Sequence, residues 1–266
     1  MAGSVKSDLD VAHAMADAAR AAILPFFRAA HLTSDNKDAA GFDPVTEADR
    51  AAEQAMREVL AEHRPDDGIW GEEFGKHSGS SNRMWVLDPI DGTRAFISGT
   101  PTWGVLIALG EAGASPHLGM IDQPYIQERF WGGPDGAFCA GPLGTAPIAA
   151  KTAGALHDAT LFTTFPEVGT PTDRAGFDAV ADQVKLVRYG MDCYAYALLA
   201  GGHVDLVIEA GLQAYDIQGP LAVIEAAGGL VTDWRGGPAH EGGQVLAAAH
   251  EGLHRAALER LAPFAD

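Results

Sequence analysis

The run Trp85-Val86-Leu87-Asp88-Pro89-Ile90-Asp91-Gly92-Thr93 constrains this chain more than any other stretch. Three apolar residues make a strand fit for burial, and two carboxylates follow at its C-terminal end. Pro89 fixes its own φ and restricts the residue before it. Gly92 can enter a conformation closed to most side chains, so the chain can turn sharply there. Thr93 can then open a short helix to Ile97, whose first N–H groups lack intrahelical partners. A strand that delivers two acids to a helix start suits a Mg²⁺ ion bridging them to a phosphate. The same residues also make an ordinary turn and helix cap, because Asp, Pro and Gly are common in turns.

Charge sharpens the question. The chain of 266 residues has 36 Asp plus Glu against 18 Lys plus Arg, a formal net charge of −18. Such a surface repels nucleic acid and anionic membranes, so neither is expected as a partner. It repels a phosphate ester as well, unless cations stand between the two. Hydrophobic residues, 47% of the chain, are enough for a sizeable core. Cys139 and Cys193 alone do not make a disulfide framework, which points to a reducing cytosol. Asp8, Asp10 and Asp17 stand where a signal peptide would have a basic flank and an apolar run, and no apolar stretch reaches membrane-spanning length. A soluble, cytoplasmic protein is expected.

Periodicity gives the elements. Leu9, Ala12, Met15, Ala19, Ile23 and Phe26 mark a helix from Ser7 to Ala30, capped by Ser7 with Asp10 and interrupted at Pro25. A second helix runs from Glu47 to His63 behind Thr46. Short strand-like runs follow at Gly68–Trp70, Met84–Leu87, Trp103–Leu109, His117–Ile121, Ile126–Trp131 and Gly136–Cys139, which together predict a mostly antiparallel sheet. Residues Gly141 to Lys151, rich in Gly, Pro and Ala, are the expected linker. Beyond it, strands at Thr160–Thr164, Lys185–Arg188, Val204–Glu209 and Leu230–Thr232 alternate with helices near Thr172–Gln183, Cys193–Ala200 and Ile217–Ala227, the pattern of an α/β layer. The expected division is an N-terminal α+β part, 1–145, and a C-terminal α/β part, 146–266. The glycine clusters match neither the dinucleotide-binding nor the P-loop pattern, and no histidine pair has zinc-site spacing.

Three further acidic segments accompany the central motif. Trp70-Gly71-Glu72-Glu73 ends a strand with two acids, Thr46-Glu47-Ala48-Asp49 opens the second helix, and Tyr215-Asp216-Ile217 precedes Ala226-Ala227-Gly228-Gly229. Singly, each has a plain explanation: a solvated loop, a first-turn acid favouring the helix dipole, a helix cap. In this order, however, the four segments resemble the inositol monophosphatase superfamily, from Thr46 to Asp233. That superfamily includes inositol and histidinol phosphatases, fructose bisphosphatase and nucleotide-3′-phosphate phosphatases.

The resemblance implies an αβαβα sandwich of alternating helix and sheet layers. It implies a Mg²⁺-dependent phosphomonoesterase with two or three ions per site, Mn²⁺ being an alternative. Glu72, Asp88 and the carbonyl of Ile90 would hold one ion, and Asp88, Asp91 and Asp216 a second. Thr93 and Asp49 would orient and deprotonate the attacking water, while Gly92 and Thr93 would receive the phosphate. A homodimer acting on a small phosphate ester is implied too. Arg188-Tyr189-Gly190-Met191-Asp192-Cys193-Tyr194-Ala195-Tyr196, together with Phe96 to Gly99, is most similar to histidinol-phosphate phosphatases, which places the chain in histidine biosynthesis. Those enzymes usually carry a second Gly where this chain has Met191. By the same likeness Asp192, Glu209 and Arg188 would contact the substrate, although Asp192 could also cap a helix and Glu209 could be a strand-end acid. An inositol-1-phosphate or broad sugar-phosphate phosphatase is the alternative within the same chemistry. A regulatory binding protein with a vestigial site is the alternative from another class.

Overall fold

The computed structural model describes residues 6–29, 34–36 and 44–266. Helix α1 spans Asp8–Ile23, and its capping box is the expected one: Asp10 N–H bonds the Ser7 hydroxyl, and the Asp10 carboxylate bonds back to the Ser7 N–H. The helix ends earlier than its apolar spacing suggests, because Pro25 has no N–H to offer the Ala21 carbonyl. Ala30, its expected last residue, lies outside the described residues, as does the side chain of Thr46. A strand pair, β1 (Ser34–Asn36) and β2 (Pro44–Thr46), precedes α2 (Glu47–His63).

The first large sheet contains β3 (Gly68–Gly71), β4 (Gly75–His77), β5 (Arg83–Asp91), β6 (Gly104–Glu111), β7 (Leu118–Gln123), β8 (Glu128–Gly133), β9 (Gly136–Gly141) and β10 (Gly144–Ile148), with the short helix α3 (Thr93–Ser98) after β5. Its strand order is β10-β9-β8-β7-β6-β5-β3-β4. Only the β3–β5 pair among these is parallel, so the mostly antiparallel sheet is present. The stretch expected as a linker instead forms β10, hydrogen-bonded to β9 from Gly144 to Ile148. Pro147 is tolerated there because β10 is an edge strand.

The second sheet is built from β11 (Thr160–Thr163), β12 (Leu186–Tyr189), β13 (Leu206–Leu212), β14 (Leu230–Thr232) and β15 (Gly243–Ala248), in the order β12-β11-β13-β15-β14. Helices α4 (Pro171–Ala181), α5 (Tyr194–Ala200), α6 (Ala214–Ala226) and α7 (Glu251–Leu261) connect and cover its strands.

Alternation along the strands sorts the layers. On β6, Val105, Ile107 and Leu109 pack under α1 and α2, against Met15, Ile23, Met56 and Leu60. Leu106, between them in sequence, faces the other way, as period two requires. It joins Ile121 against α5 and α6, whose Tyr196, Ile217, Leu221 and Ile224 also meet Val207, Val245 and Ala247 of the second sheet. Leu206, Ile208 and Leu246 turn outward to Phe177 and Val180 of α4 and Leu253 and Leu261 of α7. The result is helix, sheet, helix, sheet, helix, the layered α/β fold expected.

Helix α6 is the shared middle layer, and glycines set its depth. A Cβ on Gly119 would lie 2.2 Å from the Gly219 carbonyl oxygen, and one on Gly132 would lie 2.7 Å from Val223 Cα. Backbone meets backbone at both points, so neither site can yield by a rotamer change. Gly119→Ala should therefore push α6 off the sheet and destabilise by about 1–3 kcal/mol, the usual cost of overpacking. A urea-denaturation midpoint equal to that of the unaltered protein would show that α6 shifts freely.

Candidate functional site

Asp88 and Asp91 lie three residues apart, a spacing that in a regular strand puts side chains on opposite faces. Here Asp88 pairs with Leu106 while Asp91 pairs with Gly104, so β5 carries one more residue than β6 between those points. This bulge re-aims the chain and brings both acids to the same side. One carboxylate oxygen each from Asp88, Asp91 and Asp216 all lie within 4.8 Å of one another. They border a cavity of about 400 Å³ that Glu72, Ile90, Gly92 and Thr93 also line.

Backbone donors hold each acid. Asp88 Oδ1 accepts from the Ile90 N–H at 3.0 Å, Asp91 Oδ2 from the Cys193 N–H at 2.7 Å, and Asp216 Oδ2 from the Gln213 N–H at 2.6 Å. Asp216 is thus a helix-capping residue and a member of the acidic group at once. Gly92 has φ 83°, and a Cβ there would also lie 2.7 Å from Asp192 Cγ, so glycine is required twice over. Thr93 opens α3 and donates its hydroxyl to the Ile90 carbonyl at 3.2 Å.

Glu72 lies in the turn that follows β3. Its organiser is Glu53 on α2, fully buried. Glu53 accepts from the Glu73 N–H at 2.6 Å, the Phe74 N–H at 3.2 Å and Arg57 Nε at 2.7 Å. Arg57 in turn reaches the Gly75 carbonyl. A Cβ on Gly71 would lie 1.9 Å from Glu53 Oε1, so the glycine leaves room for that carboxylate. The one hint in the sequence is a Glu beside Ala52, on the buried face of an otherwise regular amphipathic helix.

Asp192 and Glu209 line the same cavity. Asp192 has φ 47° and makes no helix-cap bond; its Oδ2 accepts from the Thr102 hydroxyl at 2.7 Å. Glu209, on β13, accepts at Oε1 from both the N–H and the hydroxyl of Thr164, at 2.9 and 2.7 Å. Asp49 is buried in the first turn of α2 and is not among the residues that line the cavity. Arg188 is exposed on the edge strand β12 and does not line the cavity.

Burial is the main influence on these acids. It raises Asp88 and Asp91 well above the usual carboxylate range, reinforced at Asp88 by Glu72, Asp91 and Asp216, and at Asp91 by Asp216 and Asp192. Burial also pushes Asp216 up to about 7, against the pull of the Gln213 N–H and with the help of Glu72 and Glu209. Glu209 is pushed up to about 8, burial again outweighing its bonds to Thr164. Crowded carboxylates offering only oxygen fit a hard divalent cation, which would relieve their repulsion. Arg94 is the one basic residue lining the cavity among the described residues.

Residues 5–263 match the inositol monophosphatase family. The chain belongs to the inositol monophosphatase family. Members are metal-dependent phosphatases, and this chain is one of them. It is 42% identical to the bifunctional phosphatase IMPL2 of Arabidopsis thaliana, covering 94% of this chain and 74% of the relative. It is 36% identical to a histidinol-phosphatase of Mycobacterium tuberculosis, over 96% and 97% of the two chains. An inositol monophosphatase structure from Zymomonas mobilis superposes with a TM-score of 0.84 at 43% identity, over 96% and 97% of the two. Among the described residues no helix is long and apolar enough to cross a membrane.

The raised acids make a pH prediction for the metal-free family member. An acid whose folded pKa lies above its unfolded value stabilises the fold when protonated, and that contribution is lost as pH rises through the folded pKa. Asp216 rises from 3.8 to about 7 and Glu209 from 4.5 to about 8, so the loss runs from those lower values up to the higher ones and is complete above them. Thermal melts in chelator should show Tm falling from about pH 5 to about pH 8 and levelling off above, and added Mg²⁺ should raise Tm more at the upper end. A Mg²⁺ effect that is equal at both ends would contradict this sign.

Proposed function

We propose that this phosphatase hydrolyses histidinol phosphate to histidinol and phosphate, with Mg²⁺ held by Glu72, Asp88, Asp91, Asp216 and the Ile90 carbonyl. Bound divalent cations supply the positive charge that neutralises phosphoryl oxygens and makes a water more acidic. The chain's own residues do the rest. Gly92 and Thr93 open α3 and present backbone N–H groups to the phosphate. The Thr93 hydroxyl orients the attacking water, and Asp49 takes the proton. Two ions, or three with a looser one at Glu72, are compatible with this donor set, and Mn²⁺ could replace Mg²⁺. A homodimer in the cytoplasm is part of the same reading.

The observation that carries the substrate is a second pair of acids in the cavity. Asp192 and Glu209 are each tied to a threonine hydroxyl, Thr102 and Thr164, apart from the crowded trio. Histidinol phosphate brings an ammonium and an imidazole that is partly protonated near neutral pH. Buried acids with raised pKa values gain most from a cation placed beside them, since it offsets the desolvation that raised them. The name of the Mycobacterium tuberculosis relative supports this choice. That of the Zymomonas mobilis structure favours inositol phosphate as the second reading.

A panel of phosphate esters tests the proposal directly. Histidinol phosphate should give the highest kcat/KM. Asp192→Asn should raise its KM by roughly 10- to 150-fold, the worth of a charge-assisted contact, and leave an amine-free ester nearly unchanged. Glu209→Gln should act in the same direction, more weakly, because an amide can still accept. A preference for inositol phosphate, or equal losses on both esters, would remove histidinol phosphate as the substrate and leave the phosphatase intact.

A further inference from the structure

Tyr196 stands apart from every role assigned so far. Its ring belongs to the core between the two sheets, and the residue is only 3% exposed. The residue nevertheless belongs to the cavity lining, and its buried hydroxyl has no hydrogen-bond partner among the described residues. Helix packing accounts for the ring but gives no reason for the oxygen, since phenylalanine would fill the same space. A buried hydroxyl left unpaired is unfavourable, and in native proteins such a group ordinarily has a partner. Glu209, Asp91 and Asp216 all lie close enough to act on it electrostatically, yet none of them takes its proton in a hydrogen bond.

From this we infer that the Tyr196 hydroxyl is a substrate-recognition group, the third acceptor of an ammonium site whose other members are Asp192 and Glu209. The inference rests on the histidinol phosphate reading and extends it. An ammonium carries three N–H donors and no acceptor, so it is best held by three acceptors. Asp192 and Glu209 each have one oxygen engaged by a threonine, Oδ2 by Thr102 and Oε1 by Thr164. The remaining oxygen of each carboxylate serves as one acceptor. The Tyr196 oxygen accepts the third N–H, and the phenol keeps its own proton to donate to a neighbouring carboxylate or water. A hydroxyl of a sugar or inositol phosphate has a single donor and cannot use all three, so Tyr196 discriminates in favour of the amine.

Tyr196→Phe removes the oxygen alone and keeps the ring. The KM for histidinol phosphate should rise roughly 10-fold, the lower end for a hydrogen bond to a charged group. Its kcat should change little, and an amine-free phosphate ester should be unaffected in both constants. The Tm should hold or rise, because an unpaired buried polar atom has been deleted. Calorimetric titration with histidinol, which lacks the phosphate, should show the same weakening. Two results would overturn the inference: an unchanged KM for histidinol phosphate, or an equal loss on both esters together with a lower Tm, which would mark a structural role. Asp192→Asn separates the two levels of argument. If that variant loses selectivity and Tyr196→Phe does not, the Tyr196 assignment alone fails. If the unaltered enzyme shows no preference for the amine-bearing ester, both fail together.

Discussion

Repulsion among Asp88, Asp91 and Asp216 is the constraint around which the rest is arranged. Placing three carboxylates within 4.8 Å of one another, largely out of water, disfavours the fold when no cation is present. What keeps them aimed together is backbone. The donors are the Ile90, Cys193 and Gln213 N–H groups, from the end of β5, the start of α5 and the start of α6. One comes from the first sheet and two from the layer between the sheets. The cluster therefore exists only where both halves of the chain meet, and the depth at which α6 sits against the first sheet is a condition on the site as well as on the core.

Much of this was legible, and the reason is local. The β5 motif announces itself through Pro89, Asp91 and Gly92, whose backbone preferences act within a few residues. The first two helices and most strands follow from the spacing of apolar residues. What stayed hidden depends on contacts between distant positions. The bulge that turns Asp88 and Asp91 to one side is a register shift against β6, and no pattern within β5 encodes it. Glu53 looks like any helix acid until the turn after Gly71 is folded around it. β10 hides in a Gly, Pro and Ala-rich stretch because an edge strand can carry Pro147. β15 and α7 are absent from the periodicity reading: the alanine-rich run after Gly243 is a poor strand signal by propensity, made a strand by burial between β13 and β14.

The two groups of acids in one cavity have the same chemistry, so their selectivity must come from placement. Asp88, Asp91 and Asp216 converge, and among the described residues they are the group close enough to share one ion. Asp192 and Glu209 are outside that group and are each held by a threonine instead. Thr102, from the segment before β6, holds one, and Thr164, from the end of β11, holds the other. On the proposed reading the first arrangement suits a compact ion that must be surrounded by oxygens, and the second suits a polyatomic cation whose donors diverge. Spreading the acceptors has a cost, since each acid is then desolvated without a close cation in the free enzyme. That cost is consistent with a Glu209 pKa pushed up to about 8, and a substrate that brings its own positive charge would remove it. The spacing between like charges, set by two threonine hydroxyls, would then separate the metal's place from the amine's within a single acidic cleft.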